Sequence, residues 1–99
     1  MRRKAKKDGN HDAIVRALEF MGCSVAQMHA SGVTGFPDIL VGCKSANYLV
    51  EIKDRSTAYG KKGLNPNQDD FAQKWRGGNI YVVDSVEQAI GLVKFWRLR

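Results

Sequence analysis

The sequence predicts a mixed α/β domain in the order helix, three strands, helix, strand, helix, with a mixed sheet flanked by helices. Three observations carry this expectation. Ile14, Val15, Leu18 and Met21 recur at helical spacing. The stretch from Gly35 to Asp54 holds two apolar runs, Ile39 to Val41 and Tyr48 to Lys53, of strand length. Two capping sequences, Asn65 with Gln68 and Ser85 with Gln88, open helices on either side of a further apolar run, Ile80 to Val83. At 99 residues, 43% apolar and 26% charged, the chain reads as a single small globular domain over 10–99 behind a basic arm over 1–9.

The first helix is expected over 11–21, with N-cap candidates from Asp8 to Asn10 and Gly22 as its stop. At 100° per residue, His11 shares a face with Ile14, Val15 and Leu18 and is directed at the sheet, whereas Asp12 lies at the border of that face. Cys23 to His29 reads as the first strand. Ala30 to Pro37 reads as a loop whose Gly32 and Gly35 open no helix and so make no dinucleotide fingerprint. The two central runs then form a hairpin turning near Lys44 and Ser45, with Asp38 opposite Glu51 or within one residue of it. Alternation puts Leu49, Glu51 and Lys53 on one face and Tyr48, Val50 and Ile52 on the other.

After the hairpin, Arg55 to Leu64 reads as a basic loop without the pattern of a P-loop. Asn65, Pro66 and Gln68 begin the next helix with a capping box, and Gly77 and Gly78 end it. Phe71 and Trp75, spaced i, i+4, are expected in the core, an exposed Trp75 being able instead to stack on a base. Ile80 to Val83 is expected as a buried strand. A second capping box, Ser85 and Gln88, starts a last helix whose Ala89, Ile90, Leu92, Val93 and Trp96 make a wide apolar belt. That surplus suggests a homodimer.

Sixteen Lys and Arg against ten Asp and Glu leave a net charge of +6, so the natural partner is a polyanion. Arg2, Arg3, Lys4, Lys6 and Lys7 form an arm suited to DNA phosphates, and Arg55, Lys61 and Lys62 a second phosphate-contacting segment. Cys23 and Cys43 lack CxxC spacing and are expected as reduced thiols. With no secretory h-region and no run long enough to cross a bilayer, the expected location is the cytoplasm, away from membranes.

The chemistry is concentrated in Asp38, Glu51 and Lys53. An isolated E-x-K is ordinarily an ion-paired strand end. Two carboxylates brought together beside an apolar core are costly without a cation, however, and oxygen ligands on a rigid sheet suit Mg²⁺ or Mn²⁺. Lys53 would then lie near the water or phosphate such an ion polarises.

Pro37-Asp38, a gap of twelve residues, and Glu51-Ile52-Lys53 resemble the signature of the PD-(D/E)XK nucleases. Asn65-Pro66-Asn67-Gln68, followed by Phe71 and Trp75, is similar to the glutamine-bearing helix of the VRR-NUC branch. The resemblance spans His11 to Val83. It implies a restriction-endonuclease-like fold and metal-dependent hydrolysis of DNA phosphodiesters, with Asp38, Glu51 and the carbonyl of Ile52 as metal ligands. Lys53 and Gln68 would be catalytic, and His11, Asp12 or Glu19 on the first helix auxiliary, with His11 preferred. Gln68 is expected to favour this role over its capping box, since one amide does not fill both at full strength. Standalone relatives of this kind resemble Holliday-junction resolvases and are dimers. No base-reading element is evident, which favours cutting selected by the shape of branched DNA. The rivals are a non-cleaving DNA-binding module, an RNA-directed nuclease and a subunit that needs a helicase partner.

Overall fold

The computed structural model describes residues 9–54 and 64–98. The expected phosphate contacts of Arg2, Arg3, Lys4, Lys6, Lys7, Arg55, Lys61 and Lys62 lie outside these residues. The elements follow the expected order: α1 His11–Phe20, β1 Ser24–Gln27, β2 Ile39–Cys43, β3 Ala46–Ile52, α2 Pro66–Lys74, β4 Ile80–Val83 and α3 Val86–Arg97.

The four strands form one sheet in the order β1-β2-β3-β4. The first two pairings are antiparallel and the third is parallel. β2 and β3 are joined by Lys44 and Ser45 at φ 51° and 67°. A two-residue hairpin of this kind needs positive φ at both positions to match the strand twist. β3 and β4 run in the same direction, so the chain must cross over between them, and α2 lies in that connection.

Strand alternation divides the molecule. Ile39, Val41 and Cys43 of β2 and Val50 and Ile52 of β3 join a core with Ile14 and Leu18 of α1 and Ala89, Val93 and Trp96 of α3. Tyr48 stacks on Trp96 at 3.9 Å on the same side. The opposite face carries Leu49, Glu51 and Lys53 and is partly covered by α2, which has no fully buried residue. What holds α2 is a small aromatic cluster and one close backbone approach. Phe36 meets Phe71 edge-on at 5.2 Å, and Phe71 stacks on Trp75 at 5.1 Å. Gly35, at φ +79°, lets the loop before β2 lie so close that a Cβ there would stand 2.2 Å from the Asn67 carbonyl oxygen.

Four expectations change. Phe71 is half-buried and Trp75 is 44% exposed, so neither is deep core. α2 ends at Lys74, with Trp75 already extended, before Gly77 and Gly78 are reached. β4 is an edge strand whose only buried residue is Val83. Ser85 caps α3 through the N–H of Gln88, but Gln88 Oε1 accepts from Asp84 N–H at 2.7 Å, one residue before the position a full box requires. Phe20, Phe95 and Leu98 are exposed, and no described helix is long and apolar enough to cross a membrane.

Candidate active site

The β2–β3 register pairs Ile39 with Val50, which places Asp38, one residue before β2, across from Glu51. Asp38 is locked there by accepting the Ile52 N–H at 2.8 Å. Glu51 near the end of β3 and Lys53, one residue past it, are two apart in extended chain and therefore share a face. Both are 2% exposed, and Lys53 Nζ stands 3.8 Å from Glu51 Oε2. The end of β3 and the residue just past it thus deliver one acid and one amine to a buried spot, and the loop ahead of β2 delivers the second acid.

Gln68 bridges Glu51 and Lys53. Its Nε2 donates to Glu51 Oε2 at 2.6 Å, and its Oε1 accepts from Lys53 Nζ at 2.8 Å. The same Oε1 also accepts the Asn65 N–H at 3.0 Å, while Gln68 N–H donates to Asn65 Oδ1 at 2.9 Å. The expected conflict between capping and the site does not arise. An amide oxygen has two acceptor positions, and here one closes the box while the other holds the ammonium. The capping box is what aims the side chain.

The electrostatics follow from burial. Glu51 is pushed from 4.5 up to about 9, first by loss of water, then by the adjacent Asp38 carboxylate and a hydrogen bond with it; the Lys53 ammonium pulls the other way. A buried carboxyl set beside a second carboxyl makes the kind of site in which a cation can offset the repulsion between them. Their donors are hard oxygens. Among the described residues no group of three or more His, Cys, Asp or Glu side chains gathers, so the side-chain donors at this spot are the two carboxylates. That set suits Mg²⁺ or Mn²⁺ better than Zn²⁺.

The remaining expected residues fall as follows. Ile52 is held by its N–H on Asp38, next to Glu51 in the chain. His11 is buried and its Nε2 lies 2.8 Å from Gln27 Oε1. Gln27 pairs with Ile39, so His11 reaches the region of Asp38 through β1. Asp12 and Glu19 are exposed.

Two features escape sequence reasoning. Asn10, an apparent N-cap, makes no capping bond; its Nδ2 donates to the carbonyls of Lys53 at 3.1 Å and Asp84 at 2.8 Å, tying the ends of β3 and β4 together beside the site. Nothing in the sequence separates such a clamp from a cap. A cleft of about 340 Å³ opens onto Asp38 and Gln68, and His29, Ser31, Thr34 and Asn67 also line it. Its only signal in the sequence is the polar composition of the loop before β2.

No family model and no curated protein matches the chain significantly. A solved structure described as a VRR_NUC domain is similar, with a TM-score of 0.65 at 28% identity over 93% of this chain and 99% of that one. The likeness runs through nearly the whole chain, including the sheet and α2 that bring the acids, the amine and the glutamine together, and it supports a VRR-NUC, nuclease-type identity on a restriction-endonuclease-like fold.

Proposed function

We propose that the chain hydrolyses DNA phosphodiester bonds with the help of a divalent cation. The observation that carries this is the approach of the Asp38 carboxyl to the buried Glu51 carboxyl, with Gln68 linking Glu51 to Lys53. Mg²⁺ or Mn²⁺, held by Asp38, Glu51 and the Ile52 carbonyl, would lower the pKa of a bound water and offset charge on the scissile phosphate. Gln68 engages one oxygen of Glu51 and fixes the carboxylate plane. Lys53, anchored by the Gln68 amide, orients the attacking water or stabilises charge on the phosphate. Asp38 is held by the Ile52 N–H, so the site is set before substrate arrives. His11 supports it from a distance by fixing Gln27 on β1. A binding module without chemistry gains nothing from two clustered acids facing a phosphate, since they repel it.

The partner is DNA, gripped by its backbone. Nine of the sixteen Lys and Arg fall in residues 1–8, in 55–63 and at Arg99. We assign Arg2, Arg3, Lys4, Lys6 and Lys7, on an arm ahead of a single domain over 10–99, and Arg55, Lys61 and Lys62 to phosphate contacts that read no sequence. Cutting is therefore selected by DNA structure, at branches or junctions. Exposed Phe20, Phe95 and Leu98 are the surface assigned to a second copy of the chain.

The test is incubation of wild type and Lys53→Ala with linear, nicked, flapped and four-way DNA in Mg²⁺, Mn²⁺ or EDTA. Cleavage should require the metal and fall by about 10²-fold or more in the variant, the cost typical of losing one charge-stabilising donor. Cleavage that persists in EDTA and in the variant refutes the reading.

A further inference from the structure

At the other end of the sheet, where β3 and β4 begin, lies a second cavity of about 840 Å³. That volume is within the usual range for pockets that hold a small organic group. Its lining includes Phe36 and Trp75 beside α2, Asn47 and Asn79, and, across the start of β3, Tyr48 and Tyr81 of the core side. Trp75 is braced on its protein side, stacked on Phe71 at an interplanar angle of 20° and edge-on to Phe36. Yet it keeps 44% of its surface exposed. The turn that follows is shaped around it, because a Cβ on Gly77 would come within 2.7 Å of the indole nitrogen. An aromatic plate held rigidly with an open side is a stacking platform. Asn47 and Asn79 are both exposed, and each amide presents a donor and an acceptor.

The cavity is tied to the acids by α2 and β3. Gln68 sits in the first turn of α2 and Trp75 just past its end, so the two are separated along the helix by about 10 Å. Along β3, Glu51 and Asn47 are about 13 Å apart. A nucleic-acid strand crossing the acids covers such a distance in two to four nucleotides, at about 3.4 Å per stacked step and more when unstacked.

We propose that this cavity receives an unpaired nucleobase of the strand being cut, stacked on Trp75 and met at its edge by Asn47 and Asn79. The proposal rests on the nuclease reading above and adds to it a substrate class. A base inside a continuous duplex has both faces covered and cannot enter. Strands with unpaired bases near the cut, as in a flap, gap or frayed end, are therefore preferred.

Binding can be separated from cleavage by working in EDTA with the full chain. The protein has two tryptophans, Trp75 and the buried Trp96. Oligothymidylate should quench the emission of wild type. In Trp75→Leu the quenching should vanish and the affinity fall about fivefold or more, the lower end of the effect of removing one stacking partner. A blunt duplex of equal length should quench less than the single strand. Should Trp75→Leu fail to fold, Asn47→Ala combined with Asn79→Ala leaves the aromatic cluster intact and should lower affinity for oligothymidylate while the quenching persists. Equal affinity of these variants and wild type, or equal quenching by duplex and single strand, overturns the proposal. Loss of cleavage alone bears only on the nuclease reading.

Discussion

Glu51→Gln should flatten the pH dependence of stability and strengthen the metal-free fold in alkaline solution. In the folded chain Glu51 keeps its proton up to about 9, whereas an ordinary carboxyl releases it at 4.5. A group raised in this way contributes stability that is complete below the unfolded value and is lost as the pH climbs through the folded one. Between those limits the folded state loses up to about 1.4 kcal/mol per pH unit, so from pH 5 to pH 8 the upper bound is about 4 kcal/mol. That is a large part of the roughly 5–15 kcal/mol typical of a small domain. Glutamine keeps the shape and can accept the Gln68 hydrogen bond but cannot ionise. The assay is urea denaturation in EDTA at pH 5, 6.5 and 8, comparing both proteins so that other titrating groups cancel. Wild type should lose stability relative to the variant at each step upward. Parallel curves would refute the claim that Glu51 is buried against a second acid without a cation.

Gly35→Ala places a methyl group 2.2 Å from the Asn67 carbonyl oxygen on a residue at positive φ, so it should destabilise by more than about 1 kcal/mol and disturb α2. Cleavage should fall with it, because α2 carries Gln68; a variant as stable and active as wild type would remove the close approach from the account. Replacing Arg2, Arg3, Lys4, Lys6 and Lys7 by Gln should weaken binding to all DNA sequences alike, with the salt slope falling by roughly one for each phosphate no longer neutralised. Unchanged affinity would make the arm a mere tail. Sedimentation at micromolar concentration should show a dimer, and a lone 11.0 kDa species would remove Phe20, Phe95 and Leu98 as an interface.

Much of the fold is legible in the sequence because its signals are local. The hairpin follows from two strand-length runs, and its register from a turn at Lys44 and Ser45; one face carrying Glu51 and Lys53 follows from alternation alone. The cap that starts α2 is equally readable, since Asn65, Pro66 and Gln68 act within one turn. The departures come from contacts between distant parts of the chain. Trp75 has the spacing of a core residue, but α2 covers only part of one sheet face, so the ring ends half in solvent. Asn10 reads as a cap because its long-range partners, the carbonyls of Lys53 and Asp84, leave no mark in a linear sequence. The double duty of Gln68 is hidden as long as its amide is assigned a single partner.

The most direct test of the account is where a cation binds. A crystal soaked in Mn²⁺ and measured for its anomalous signal should show a peak between the Asp38 and Glu51 carboxylates, and the peak should disappear in Asp38→Asn. A well-ordered crystal with no peak there, or with manganese bound only elsewhere, would contradict the shared-cation chemistry on which the proposed hydrolysis depends.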